Sequence, residues 1–130
     1  MTQKDKQLLF KDLSARLPYG VKIYHEDFPN ATLAGVVNED IILHCDKHDY
    51  TYNTHWKIEC IKPYLRPMSS MTDEEKFAYW KTQWVYQADY CAPEYFDGLE
   101  SYDWLNKNHF DYRGLIEKGL AIDATGLNIY

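Results

Sequence analysis

Cysteines are few in this sequence, and their arrangement is not typical of a disulfide framework. The 130 residues include Cys45, Cys60 and Cys91, an odd number without CxxC spacing. Small secreted domains usually pair an even number of cysteines, so the pattern argues against such a framework and favours free thiols.

Long apolar runs are also missing. No run approaches the roughly 20 apolar residues that a membrane-spanning helix needs, and the polar residues 1–6 do not resemble a secretory signal peptide. We therefore expect a cytoplasmic protein without a membrane partner. Its length and its 45% hydrophobic and 26% charged residues favour one domain over residues 1–130.

Basic stretches are absent as well. Residues 73–103 hold eight acidic residues and two lysines, which accounts for the net charge of −6, because the rest of the chain has twelve acids and twelve bases. Nucleic-acid binders carry a basic footprint, so we expect no direct nucleic-acid binding. Such an acidic span is typical of a solvated helical surface. An alternative is an acidic decoy that occupies a nucleic-acid-binding site of another protein.

Sequence motifs of common enzymes are missing too. There is no GxGxxG, P-loop, HExxH or nucleophile-elbow motif. The acidic pairs Glu94 with Asp97 and Glu100 with Asp103 have a spacing that mostly occurs on solvated helix faces. We therefore expect no catalytic residues, no cofactor and no enzymatic activity, with a small enzyme or zinc-binding protein as the third hypothesis.

Histidines and cysteines between residues 44 and 60 form the best candidate for a metal site. His44, Cys45 and His48 are followed by His55 and Cys60, and imidazole and thiolate groups are zinc ligands. No second ligand pair follows at a fixed distance, and adjacent residues of a strand point to opposite faces. The sequence therefore predicts no metal site.

Hydrophobic periodicity predicts an α+β fold. Thr2 and Asp5 resemble a helix cap, and a helix over residues 3–17 would place Lys4, Lys11 and Asp12 opposite its apolar side. Four or five short strands between residues 21 and 61, including a hairpin turn at residues 38–40, predict a β-meander. We favour an SH3-like barrel over a small curled or open sheet, which gives the same pattern.

The stretch from residue 56 to residue 86 changes from strand to helix periodicity. Trp56, Ile58 and Cys60 alternate with charged residues and are expected to face inward. Pro63 is expected to end the strand, and residues 64–71 to connect it to a helix over residues 73–88. Thr72 and Glu75 have the spacing of a capping box for that helix.

Two shorter helices are predicted near the end of the sequence. One covers residues 99–108, and the other is capped by Asp111 and ends near Gly119. The predicted domain therefore consists of an N-terminal helix (residues 1–20), a β-meander or barrel (21–62) and a helical part (63–130).

Aromatic residues are unusually abundant, with twelve tyrosines and four tryptophans. On the helix after residue 72 they form two stripes, and one stripe should face the core. Tyrosine and arginine are enriched in protein-binding hot spots. We therefore predict a partner-binding surface, although the same residues could instead cover the core. This aromatic joint consists of Tyr64, Arg66, Tyr79, Tyr86 and Tyr90.

Three phrases resemble an uncharacterised family of small proteins from anaerobic gut bacteria, their prophages and mobile elements. They are Lys6-Gln-Leu-Leu with Asp12-Leu-Ser-Ala-Arg-Leu-Pro-Tyr-Gly-Val21, Lys62-Pro-Tyr-Leu-Arg-Pro-Met-Ser-Ser-Met-Thr72, and Trp104-Leu-Asn-Lys-Asn-His-Phe-Asp-Tyr-Arg-Gly-Leu-Ile-Glu-Lys-Gly-Leu120. The resemblance implies a phage or mobile-element context, in which small binding proteins are frequent, and no known activity. Our leading hypothesis is a non-enzymatic protein-binding accessory module.

Overall fold

The computed structural model describes residues 1–47, 50–90 and 99–130, with the backbone alone for residues 46, 47, 50–52, 84–90 and 99. Helices and strands are both present, which confirms the predicted α+β class. The helices are α1 (Gln3–Arg16), α2 (Asp73–Tyr90) and α3 (Leu99–Lys107). The strands are β1 (Lys22–His25), β2 (Phe28–Val37), β3 (Asp40–Lys47), β4 (Tyr50–Lys57), β5 (Ile61–Pro67), β6 (Phe110–Asp111) and β7 (Ile122–Asp123).

The strands form an open sheet in the order β4-β3-β2-β1-β5-β6, and β7 pairs with β5 beside this path. β2, β3 and β4 are an antiparallel meander, as predicted, and Asn38 adopts the positive φ of 55° at the β2–β3 turn. The SH3-like barrel is not confirmed, because the outer strands β4 and β6 do not pair with each other in the described part of the chain.

β5 differs most from its predicted structure. Pro63 does not end a strand but lies within β5, opposite Ile23 of β1. A proline removes one backbone donor but keeps extended geometry, so the strand continues where other pairings hold it. These pairings are parallel: β7 pairs at Tyr64 and Leu65, and β6 pairs at Arg66 and Pro67.

The inward alternation predicted for Trp56, Ile58 and Cys60 is wrong at Cys60. β4 ends at Lys57, and a short 3-10 helix at Ile58–Cys60 interrupts the period of two. Ile58 is buried, Trp56 is half-buried against His25, and Cys60 is exposed.

One hydrophobic core lies between α1 and the sheet. The predicted Thr2–Asp5 capping box is present and starts α1, which buries Leu9 and Leu13. The remaining members come from the other two predicted parts of the chain, residues 21–62 and 63–130. They are Val21, Ile23, Ala31, Leu33, Ile41, Leu43, Cys45, Ile58, Ile61, Leu65, Leu115, Leu120 and Ala121.

The predicted final helix is wrong, because residues 115–119 form consecutive turns. Asp111 nevertheless has the predicted capping role: its carboxylate accepts hydrogen bonds from the amides of Leu115 and Ile116, each at 2.9 Å. Gly119, with φ of 74°, closes the turn through bonds typical of helix C-termini. Within the described residues, no helix has both the length and the apolar composition required to cross a bilayer.

Candidate functional site

Arg66 connects β5 to the start of α2. Its Nη1 and Nη2 atoms donate to the two carboxylate oxygens of Glu75, both at 2.7 Å. Glu75 also accepts from the Thr72 amide at 3.0 Å, and the Thr72 hydroxyl accepts from the Glu75 amide at 3.1 Å. The predicted capping box is therefore present, and its glutamate takes part in an additional ion pair. We call this ion pair the Arg66–Glu75 clamp.

Two aromatic rings pack beside the Arg66–Glu75 clamp. The Arg66 guanidinium lies 4.2 Å from the centre of the Phe110 ring, and Phe110 stacks on Trp104 at 5.7 Å. Hydrogen bonding to Arg66 is the main reason that the pKa of Glu75 lies below its usual value. Glu75 is therefore ionised at neutral pH and connects the first turn of α2 to β5 through its ion pair with Arg66.

Tyr64 of the aromatic joint faces the interior. Its side chain is only 7% exposed, and its hydroxyl donates to the carbonyl of Pro29 at 3.0 Å. Its ring also contacts Tyr24 edge-on, with 6.4 Å between ring centres. The structure therefore does not favour a partner-binding role for Tyr64.

Tyr79 lies on the side of α2 that packs against α3. Its ring is 5.8 Å from that of Trp104, and Thr82, one turn later, lies 3.0 Å from the Ser101 hydroxyl. Tyr79 is half-buried. Tyr86 and Tyr90 belong to α2, but their side chains lie outside the described part, so their role in binding stays a prediction.

A different face of α2 presents large aromatic side chains to solvent. Phe77 is 60% exposed and Trp80 is 51% exposed, and their rings stack with 5.9 Å between centres. The Lys81 ammonium lies 5.5 Å from the centre of the Phe77 ring. We call Phe77 and Trp80 the aromatic surface of α2.

Residue spacing along α2 identifies this exposed face only once the partner of Glu75 is known. Glu75 is directed toward Arg66, so residues four and seven positions later, Tyr79 and Thr82, share its inward side. Phe77 and Trp80 belong to the other stripe. The partner of Glu75 was needed to choose between the stripes, and it comes from the strand that was predicted to end at Pro63.

Sequence reasoning also missed a buried ionic network. Asp12, predicted on the solvent side of α1, is fully buried, as is Arg16. Asp12 accepts from Arg16 Nε at 2.8 Å and from Arg113 Nε at 3.1 Å, and Arg16 Nη2 donates to the Phe110 carbonyl at 2.6 Å. The network ties α1 to the segment that follows α3. Its one sequence signal is the i, i+4 spacing of Asp12 and Arg16.

A pocket of about 310 Å³ lies beside the Arg66–Glu75 clamp. Arg66 contributes to its wall, but Glu75 already neutralises that charge. The remaining lining comes from Ser70 and from residues between 124 and 130. They are Ser70, Ala124, Thr125, Gly126, Asn128, Ile129 and Tyr130.

Metal-binding residue types are not gathered in one place in the described ranges. Among residues 1–45, 53–83 and 100–130, whose side chains are described, there is no group of three or more His, Cys, Asp or Glu residues able to hold a metal ion. His44 is exposed, whereas its neighbour Cys45 is buried. His48, Cys91, Glu94 and Asp97 lie outside the described residues.

Comparisons of the chain with models of known protein families, with curated proteins and with solved structures give no match. The resemblance to the family from gut bacteria and mobile elements therefore stays a prediction.

Proposed function

We propose that this protein is a non-enzymatic binding module that holds a protein partner through the aromatic surface of α2. The exposure of Phe77 and Trp80, adjacent and stacked, is the observation that carries the proposal. Covering such apolar area contributes about 25 cal/mol per Å². Tryptophan in particular is enriched among the residues that dominate binding energy.

Helix geometry specifies how the partner would be engaged. Phe77 and Trp80 are three residues apart, the spacing at which a helix lays two anchors into an apolar groove. Asp73 and Glu74, both exposed, lie one turn before Phe77 on neighbouring positions. The partner we propose is therefore a protein with an apolar cleft and with lysine or arginine at the rim near these two carboxylates.

The start of α2 is prepared for this role before a partner arrives. The capping box and the Arg66–Glu75 clamp fix its first turn to β5. Binding through a helix that is already ordered avoids the entropy cost of folding it, which leaves more of the contact energy for affinity.

Variants of the two rings test the proposal. We expect Phe77→Ser and Trp80→Ser to raise the Kd for the partner at least about 30-fold, as hot-spot residues do. The partner would first be captured from the native host with the wild-type protein and identified by mass spectrometry. Unfolding in urea should be nearly unchanged, because substitutions at exposed positions usually stay within about 0.5 kcal/mol.

Tyr102→Ser is the matched control, since Tyr102 is 54% exposed on α3. A partner of this surface is retained by Tyr102→Ser and lost by the Phe77→Ser, Trp80→Ser double variant. If the double variant binds every captured protein as tightly as the wild type, the proposal is wrong.

The acidic decoy is the second proposal, supported by the exposure of Asp73, Glu74 and Asp103. A decoy depends on charge, so added salt should weaken its complex steeply. Neutralising Glu100 and Asp103 together should then abolish binding. The aromatic surface of α2 predicts little effect from neutralising Glu100 and Asp103, and only a modest dependence on salt from the rim contacts of Asp73 and Glu74.

A further inference from the structure

The side chain of Tyr130 is inserted between β1 and β5. These strands pair antiparallel, with Ile23 opposite Pro63, and the next position would place Lys22 opposite Tyr64. There the Lys22 amide donates to the Tyr130 hydroxyl at 2.8 Å, and that hydroxyl donates to the Tyr64 carbonyl at 2.8 Å. One phenol oxygen therefore bridges the two backbone groups at the end of the paired segment.

Tyr130 also covers His109. The two rings stack almost parallel, with 3.6 Å between their centres and 11° between their planes. Burial, and to a smaller extent the charges of Arg16 and Arg66, together lower the pKa of His109 to about 4. Although 43% of Tyr130 is exposed, its phenol is enclosed, and burial raises its pKa far above the usual value. His109 is thus neutral at pH 7 and lies under the Tyr130 ring.

The segment that carries Tyr130 is anchored at its two ends. At one end the Ala124 amide donates to the Leu65 carbonyl at 2.8 Å, directly after β7. At the other end Tyr130 occupies its slot. Between them, Gly126 and Asn128 have positive φ values of 78° and 54°, which bend the chain, and residues 125–128 are exposed. The pocket of about 310 Å³ lies inside this bend.

We propose that residues 124–130 form a strap that opens as a unit when the Tyr130 phenol leaves its slot, which exposes His109. The strap is independent of the aromatic surface of α2. Opening costs few hydrogen bonds, because the Lys22 amide and the Tyr64 carbonyl face each other across the slot and can pair directly as the next rung of the β1–β5 ladder.

Buried polar atoms beneath the strap also favour opening. His109 Nδ1 is buried and has no protein hydrogen-bond partner among the described residues. A buried polar atom without a hydrogen-bond partner raises the free energy of the closed state. Water can hydrogen-bond to that atom once the Tyr130 ring moves away. In the closed state the Lys22 amide and the Tyr64 carbonyl bond to the Tyr130 hydroxyl, and in the open state they pair with each other. The same residues therefore have two arrangements with satisfied hydrogen bonds, as a conformational switch requires.

Chemical modification of histidine can measure the opening. Diethyl pyrocarbonate acylates neutral imidazole, so at pH 7 the rate at His109 reports access to the ring. Peptide mass spectrometry gives each rate separately, with exposed His55 and buried His25 as references in the same chain. In the wild type we expect His109 to react at least about tenfold more slowly than His55, because its rate is proportional to the small open population.

Two variants separate the phenol from the ring. Tyr130→Ala removes both the bridge and the stacking and should accelerate modification of His109 at least about tenfold. Tyr130→Phe keeps the ring and loses the bridge, so its rate should lie between those of the wild type and Tyr130→Ala. Leu127→Ala is the matched control within the strap, since Leu127 is exposed and does not line the pocket. Its His109 rate should equal that of the wild type.

Two results would overturn the strap. One is a His109 rate in Tyr130→Ala that stays at the wild-type value, because Tyr130 would then not control access. The other is a parallel acceleration at His25, which is buried in β1, because the variant would then open by unfolding globally and not at the strap alone.

Discussion

Tyr64 and Arg66 on β5 and Phe77 and Trp80 on α2 are close in sequence and similar in residue type, yet they lie in opposite environments. Tyr64 is buried, and Arg66 is held by the Arg66–Glu75 clamp. Phe77 and Trp80 pack on each other and face solvent. An aromatic or arginine residue therefore indicates a binding surface only when its neighbours leave it exposed.

We expect the largest loss of stability for a variant of Asp12, in the buried ionic network of α1. Asp12→Ala leaves Arg16 and Arg113 without their shared carboxylate, and breaking a buried ion pair usually costs about 3–5 kcal/mol. Urea denaturation measures the free energy of unfolding. Lys11→Ala, one residue earlier and exposed, should change it by less than about 0.5 kcal/mol. Equal stabilities of the two variants would contradict the buried network.

Tyr64→Ala tests whether the Tyr64 ring is buried and contributes to stability. Truncating a buried aromatic side chain usually costs about 3–5 kcal/mol, and we expect about 3 kcal/mol because Tyr64 lies at the edge of the core. Tyr64→Phe removes only the bond to Pro29 and should cost about 1 kcal/mol. A loss below about 1 kcal/mol for Tyr64→Ala would place this ring at the surface and restore its predicted role as a contact residue.

The Arg66–Glu75 clamp should give a smaller effect that depends on pH. The pKa of Glu75 is lowered in the folded protein, chiefly by its hydrogen bond to Arg66. Its contribution is therefore present above the unfolded pKa of about 4.3 and is lost as the pH falls through the lower folded value. Glu75→Gln should cost about 1 kcal/mol at pH 7, and the difference from the wild type should shrink below about pH 4.

Glu74→Gln is the control for this titration, because Glu74 is exposed on the same turn of α2. It should follow the wild type at every pH. A Glu75→Gln difference that persists unchanged at low pH would show that the clamp does not act through the ionised carboxylate.

Local motifs were the part of the fold that sequence could predict. The two capping boxes, Thr2 with Asp5 and Thr72 with Glu75, involve residues three apart, and both are present. The antiparallel order of β2, β3 and β4 follows from alternation and from the hairpin turn at residues 38–40. Such features depend on neighbours along the chain, which a sequence pattern contains.

Distant partners explain what sequence could not predict. β5 continues beyond Pro63 because β6 and β7, which follow α3, pair with it. Asp12 is buried because Arg113 comes to it from the far part of the chain. The exposed stripe of α2 could not be predicted for the same reason, because it depends on the position of Arg66, the partner of Glu75. No periodicity within one element contains these contacts.

The parallel pairings of β5 have a consequence for the order in which the protein folds. β2, β3 and β4 meet through short turns, whereas Tyr64 must find Ile122 and Arg66 must find Phe110 across long stretches of chain. Closing long loops costs entropy before any contact repays it, so contacts of high sequence separation slow folding. We therefore expect the antiparallel hairpins to form early and the parallel strands to join last. During synthesis one side of β5 would therefore stay unpaired until residues 122 and 123 have left the ribosome.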